Sequence, residues 1–421
     1  MKKLLIISQV FWQKHTWNRW ELLTDLYPDI DITLLAPKIW TDLDGKNYTF
    51  GNAIIGRGEA YEKERFRVRL IDMRKIYYFD WLSFNIFNEI RKCQPDLVYY
   101  IGHEMQDPLI ETIFASKLFA PNAKIAAFSM RGRSYKINYG KSWKQAIIKN
   151  HNKLKWNIIK KYCDALFCHY PDARRTFRED SYTRPIYIQT QIGVNSSVFI
   201  RNEIARRSIR DKYKLGDNFV FGSATRFTAD KGVFEVIKAL PSRGNWRYLM
   251  LGAGNKDEED AIRSEIVKLG LHDKVITPGF INPTEMPDYL SAMDCAIHVP
   301  RTTPQWVETF SLALVQAMSS GLPVIGNTSG SVPYQLGKEG IIVPEGDIDE
   351  LRAKMIHLID NPDEARSIGL KMRERVIRCF DITHLAHCFH STMIDIIAGS
   401  YNPNKVDMAE FSPRDWENKV N

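Results

Sequence analysis

Short apolar runs alternate with segments of helical spacing along nearly the whole chain, and this alternation restricts the fold more than any single motif. Leu4–Ser8 and Ile32–Ala36 flank the helix-like Trp17–Asp25. Asp96–Tyr100 follows Phe84–Cys93, Lys124–Phe128 follows Pro108–Leu118, and Asp164–His169 ends the series. A second series runs through Phe219–Ala224, Trp246–Gly252, Lys274–Pro278, Asp294–Val299, Val324–Gly326 and Gly340–Val343. Continuous apolar strands are buried on both faces, so helices must cover both, which is the signature of parallel sheets. Between Val194 and Asn218 the composition turns polar and reads as a linker running into a short helix. At 421 residues the chain exceeds what one core holds.

The expected fold class is therefore α/β, with two Rossmann-like open parallel-sheet lobes. Residues 1–200 form the first lobe, completed by the helical segment 382–400. Residues 201–381 form the second, and 401–421 a polar tail. Ligands of such sheets bind outside the carboxyl ends of the strands, which places the expected site in a cleft between facing lobes.

Composition narrows the class. A hydrophobic share of 44% with 26% charged residues is ordinary for a soluble enzyme and excludes a disordered chain. The six cysteines include no C-x-x-C pair, so they read as reduced thiols rather than a disulfide framework or zinc site. The run Leu4–Ile7 is too short for a secretory signal, and Gln9, Gln13, Lys14 and His15 follow it. No apolar run approaches the roughly 20 residues of a membrane span. These features predict a cytoplasmic protein.

Net charge is +8, yet Arg131–Lys161 alone holds ten Lys or Arg residues and no acid. Tyr135, Tyr139, Trp143 and Trp156 interleave with them. A charge run is ordinarily a solvated face, but a complete lack of acids argues for an anionic partner. An anionic membrane surface, worth about 1 kcal/mol per well-placed basic residue, is one candidate. A phosphorylated acceptor is another. No nucleic-acid module accompanies the run. The segment predicts peripheral attachment at the inner face of the plasma membrane.

In the second lobe, Arg226 follows the strand Phe219–Ala224, and Lys231-Gly232 follows Arg226. Two cations near a helix start suit a diphosphate; on spacing alone, exposed loop cations fit equally well. Gly252-x-Gly254 ends the next strand and marks either close approach to a ligand or a plain turn. Gly279-Phe280-Ile281 could hold a base, or Phe280 could be core. Glu308 lies at or just before the start of an apolar helix that ends near Gly321-Leu322-Pro323. An acid there could simply complement the helix dipole. Gln316, eight residues on, shares its helix face and needs a partner if buried. In the first lobe, His103 follows the strand ending at Ile101 and could assist an acceptor hydroxyl or lie idle on the surface.

The order of these residues is more specific than any one of them. Arg226, Lys231, Gly252-x-Gly254, Gly279-Phe280, Glu308 and Ala317-Met318-Ser319-Ser320-Gly321-Leu322-Pro323-Val324-Ile325 resemble the C-terminal lobe of the family 4 retaining glycosyltransferases. Gly193-Val194-Asn195 through Phe199 resembles the family's segment before its linker. The resemblance implies the GT-B architecture and transfer of a sugar from a nucleotide diphosphate donor with retention, with no metal or other cofactor. By it, Arg226 and Lys231 bind the diphosphate and steady the leaving group. Glu308 contacts the donor sugar. Thr309, Phe310, Ser311 and Leu312 face donor phosphate or sugar, and Gln316 holds the ribose. Gly252, Gly254, Phe280 and Ile281 line the donor site, and His103 joins the catalytic set.

Departures from the family pattern accompany it. Gln316 replaces the second acid of E-x7-E, Thr309 and Ser311 replace glycines, and Ser331 and Tyr334 alter G-G-x-P-E. Ser129 stands where many members have His, and Gln9–Trp17 lacks paired glycines. The expectation is a transferase acting on a glycan or lipid-linked acceptor in cell-envelope synthesis. The alternative is a catalytically silent relative that serves as partner or scaffold of an active transferase. An epimerase or phosphorylase of the same fold ranks third.

Overall fold

The computed structural model describes the chain apart from residues 9–13, 40–48, 51–52, 55–57, 73, 77–78, 104, 131–142, 305 and 402–421. The loop after the first strand, the front half of the basic segment and the polar tail thus lie outside the described residues. The chain divides into two compact units. One holds Met1–Gln191 and the described chain from Leu385 onward, the other Ile192–His384.

The first unit is built on an eight-stranded sheet. Its spatial order is Ile186–Ile188, Ala165–Cys168, Lys124–Ser129, Leu97–Gly102, Lys2–Ser8, Ile30–Pro37, Phe66–Ile71 and Tyr61–Lys63. All pairings are parallel except the last, at the Tyr61–Lys63 edge. The strand Leu97–Gly102 is buried along its length, as its unbroken apolar sequence requires. Trp20 packs edge-on against Phe389 of the helix Ile382–Ala398, and Tyr99 and Phe167 meet the same ring at tilted angles. That last helix also gives Ala386, Met393 and Ile396 to this core.

Arg19 is buried at 3% exposure in this unit. It donates to the carbonyls of Thr190 and Leu385, each at 3.0 Å, and to Oε1 of Gln191. The guanidinium therefore grips both places where the chain leaves or re-enters the unit. Burial pulls its pKa down to about 10, so it remains charged at neutral pH.

The second unit is a six-stranded sheet, parallel throughout. The order is Val275–Gly279, Trp246–Leu251, Phe219–Ala224, Cys295–His298, Val324–Asn327 and Ile341–Val343. The chain builds outward from Phe219–Ala224 in one direction, then returns to its other side with Cys295–His298. Those two neighbours define the topological switch point of the sheet, where loops diverge and leave a crevice. At the entry to this unit, Val194 exchanges backbone hydrogen bonds with Phe380 and Ile382. Asp381 accepts from Ser196 N, Ser196 Oγ and Thr383 N. These bonds hold the carboxyl below its ordinary range against the opposing pull of burial.

Candidate active site

Lys231 and Glu308 leave the two strands that define the switch point of the second unit. Lys231 follows Phe219–Ala224 in the short 3-10 turn Ala229–Lys231, and Glu308 lies in the loop after Cys295–His298. Lys231 Nζ is 2.8 Å from Glu308 Oε2. His298, the last residue of its strand, brings Nε2 to 3.4 Å from the same oxygen, an ion-pair distance without hydrogen-bond geometry. The three side chains are 14%, 7% and 10% exposed, so charge is gathered here out of bulk water. The Lys231 ammonium also sits over the Trp306 ring, 4.1 Å from its centre.

Burial alone pushes the Glu308 carboxyl up. The His298 imidazole and the Lys231 ammonium outweigh it and hold the carboxyl below its ordinary range. A buried charge is tolerated only when paired, and the Lys231 ammonium pairs with Glu308 through Oε2.

The backbone explains why these groups converge. Gly232 has φ +71°, and a Cβ there would lie 1.9 Å from the carbonyl oxygen of Val299. Only glycine lets the Lys231 turn press onto the end of the neighbouring strand. Asp230 O accepts from Arg301 N at 2.8 Å, which ties the two loops together beyond that point. Trp306 is set by a tight turn, its N–H donating to Thr303 Oγ1 at 2.9 Å.

The helix beyond Glu308 begins later than expected. It spans Leu312–Ser319 with Ser311 as its N-cap, the Ser311 hydroxyl accepting from Leu314 N at 3.2 Å. Glu308 therefore stands outside the first helical turn, and complementing the helix dipole does not account for it. Ser311 is buried, and its side chain is used in capping rather than in filling a ligand pocket. Gln335, fully buried, clamps the same residue. Its Oε1 accepts from Ser311 N at 2.8 Å and from Ser331 Oγ, while its Nε2 donates to Ser311 O at 3.0 Å. Phe310 turns inward, its ring 5.9 Å from that of Phe380. Leu312 and Thr309 are half-buried. Gln316 is half-buried on the helix, without the enclosed position that would oblige its amide to find a protein partner.

The remaining predicted residues divide. Arg226 is exposed just past its strand. Gly252 adopts φ +139° against the Thr225 carbonyl, and Gly254 N donates to Glu259 Oε1 at 3.2 Å. The helix that follows caps itself through Asn255 and Glu258 and opens with Asp257, Glu258 and Glu259. That acidic start disfavours phosphate, so the glycines serve close packing there. Phe280 is 51% exposed and is not core, whereas Ile281 is core at 6%, so its side chain is not free to hold a base. His103, in the first unit, is exposed, and its Nδ1 accepts from Met105 N at 3.2 Å within a local turn.

In the basic segment, two expectations are corrected. Trp156 is fully buried with Nε1 donating to Asp180 O, and Lys155 is buried against Asp107 at 2.6 Å. Both are structural, because the inward face of their helix needs them. His298, Trp306, Gln335 and Gly330 join the site without having been predicted from the sequence. A histidine ending the apolar run Cys295-Ala296-Ile297-His298 was the available signal, since polar residues at carboxyl strand ends face ligands.

Comparison with known proteins places this geometry. Residues 205–375 match the family Glycosyl transferases group 1. An MMP alpha-(1->4)-mannosyltransferase of Mycolicibacterium hassiacum is 33% identical over 36% of this chain and 36% of its own length. A GDP-mannose-dependent alpha-(1-6)-phosphatidylinositol monomannoside mannosyltransferase of Mycobacterium tuberculosis is 27% identical over 44% of this chain and 49% of its own. The matched region thus spans less than half of each of these curated relatives. Two solved structures share the fold. Anabaena HepE in complex with UDP-glucose has a TM-score of 0.66 at 16% identity, covering 94% of this chain and 100% of that one. A glycosyltransferase from Rickettsia africae has a TM-score of 0.68 at 14% identity, covering 95% and 99%. Residues 205–375, within the second unit, are thus similar to the glycosyl transferases group 1, and the chain as a whole shares the GT-B fold of these structures.

Proposed function

We propose that the protein transfers a hexosyl group from a nucleoside diphosphate sugar to a hydroxyl acceptor, with retention at the anomeric carbon. The observation that carries this reading is the buried Lys231–Glu308–His298 cluster at the switch point of a family domain. In this reading Arg226 and Lys231 neutralise the leaving diphosphate, an electrostatic contribution that commonly dominates such catalysis. Glu308 orients the donor sugar, Gln316 meets the ribose, and the exposed Phe280 ring packs on the base. The names of the relatives support a hexosyl donor, and the ligand of HepE supports a nucleotide sugar.

The acceptor belongs, in the same reading, to a membrane-bound cell-envelope glycan. A relative from Salmonella typhimurium, 32% identical over 38% of this chain, is a putative colanic acid biosynthesis glycosyltransferase. The helix Trp143–Tyr162 exposes Ile147, Ile148 and Leu154 beside exposed Lys149, Lys153 and Lys161. Apolar residues flanked by cations suit the interface of an anionic bilayer. Among the described residues, no helix is long and apolar enough to cross a membrane.

Incubation with UDP-, GDP- and ADP-hexoses tests the reaction. Release of nucleotide that is lost in Glu308→Ala and Lys231→Ala supports it, and absence of any nucleotide binding refutes it. Co-sedimentation with anionic vesicles at low salt tests the membrane part. Binding should fall in Ile147→Glu/Ile148→Glu and be insensitive to that change if the helix is not the anchor.

A further inference from the structure

Lys231 is asked to do two things in the proposed function. It pairs with Glu308 at 2.8 Å, and it must also meet the diphosphate. If the ammonium follows the phosphate, Glu308 loses its nearest cation while staying buried, which a carboxylate resists. His298 is the other basic side chain within ion-pair reach of Glu308 among the described residues, 3.4 Å from the same oxygen. Its Nε2 is buried and makes no hydrogen bond.

Among the described residues, Glu308 is the ionisable group at ion-pair distance from His298. Ser223, Met293, Ala313, Leu314 and Ala317 line the small cavity it borders, and none of them titrates. The ionisable groups that face it are Glu308 and, through the shared oxygen, Lys231.

We propose that His298 is a positioning residue for Glu308: as Lys231 turns to the donor diphosphate, His298 takes up a proton from solvent and replaces it as counter-ion. Diphosphate binding is thereby coupled to proton uptake. No covalent bond changes; the proton comes from buffer and is returned when the nucleotide leaves. This inference rests on the nucleotide-sugar reading of the second unit.

Two measurements on the full chain test it. The first needs no nucleotide. Side-chain NMR of histidine, with the His298 resonance identified by its loss in His298→Gln, is followed against pH in the wild type and in Lys231→Met. Removing the competing cation should raise the His298 midpoint by about one unit, the size of effect a single facing charge produces. An unchanged midpoint overturns the proposal.

The second is calorimetric binding of UDP, GDP and ADP in buffers of different ionisation heat. The wild type should take up a fraction of a proton per nucleotide bound. His298→Phe should take up none and bind several-fold more weakly. Equal uptake in His298→Phe overturns the proposal while leaving the nucleotide reading intact. Failure of all three nucleotides to bind the wild type overturns the nucleotide reading, and the donor coupling with it. If Lys231→Met does not fold, the calorimetric comparison decides alone.

Discussion

Gly330 packs so tightly against Glu308 that a Cβ at Gly330 would lie 2.0 Å from the Glu308 carbonyl oxygen. Its φ of +53° is itself unfavourable for other residues. The next amide, Ser331 N, donates to that same carbonyl at 2.9 Å. The position of the candidate catalytic acid is therefore set from behind, by a strand-to-helix turn that never touches its carboxylate. Gly330→Ala should cost about 2 kcal/mol or more in unfolding free energy, combining backbone strain and overlap. Under the proposed function, sugar-transfer activity should fall further than that loss of folded protein explains. Denaturant unfolding and turnover on the same sample separate the two.

Glu308 should leave a mark on acid stability. Its carboxyl is held below the ordinary value of 4.5 in the folded chain. A lowered folded pKa means that the unfolded chain binds more protons as pH falls. The stabilisation is fully present above pH 4.5 and is lost as pH drops through the lowered folded value. Glu308→Gln lacks this term, so the wild type should lose more stability than Glu308→Gln over that acid window. Unfolding curves at stepped pH give the comparison. Lys231→Ala leaves the acid buried with a single weak partner and should cost about 3–5 kcal/mol, as broken buried pairs do.

Gln335 should behave as a structural residue with a functional consequence. Gln335→Leu removes one donor and one acceptor, and leaves Ser311 N and O without their buried partner. The expected loss is about 2–3 kcal/mol. The helix start at Leu312 should loosen as well, which hydrogen exchange at Ser311 and Leu314 would report.

Arg19→Met should loosen the first unit at two places far apart in sequence. The carbonyls of Thr190 and Leu385 each lose a charged donor at 3.0 Å. A destabilisation of about 3 kcal/mol is expected for charge-assisted bonds of this kind. Faster amide exchange around Gln191 and around Leu385, appearing together, is the distinguishing result.

The fold was legible because strands buried on both faces advertise themselves. Leu97–Gly102 and Cys295–His298 are continuous apolar runs, and both lie inside their sheets, as such runs must. The site was legible only where a residue type carried its own chemistry, as Lys231 and Glu308 do. Their pairing was not legible, because it depends on Gly232 and Gly330, whose role is to leave space. The late helix start at Leu312 escaped for a related reason. Phe310 is apolar and continues the helical pattern, yet its ring packs on Phe380 from outside the helix. His298 hid within an apolar strand, where a lone polar residue is easily read as core.

The double crossing of the chain sets an order of events during synthesis. Among the described residues the second unit is one uninterrupted stretch, Ile192–His384, and that stretch has emerged before the last helix exists. The first unit, though begun earlier, waits for Phe389, Met393 and Ile396 to cover Trp20 and Tyr99. The half of the protein made first is thus the half finished last. Its aromatic core stays uncovered for the whole time that the second unit takes to be translated.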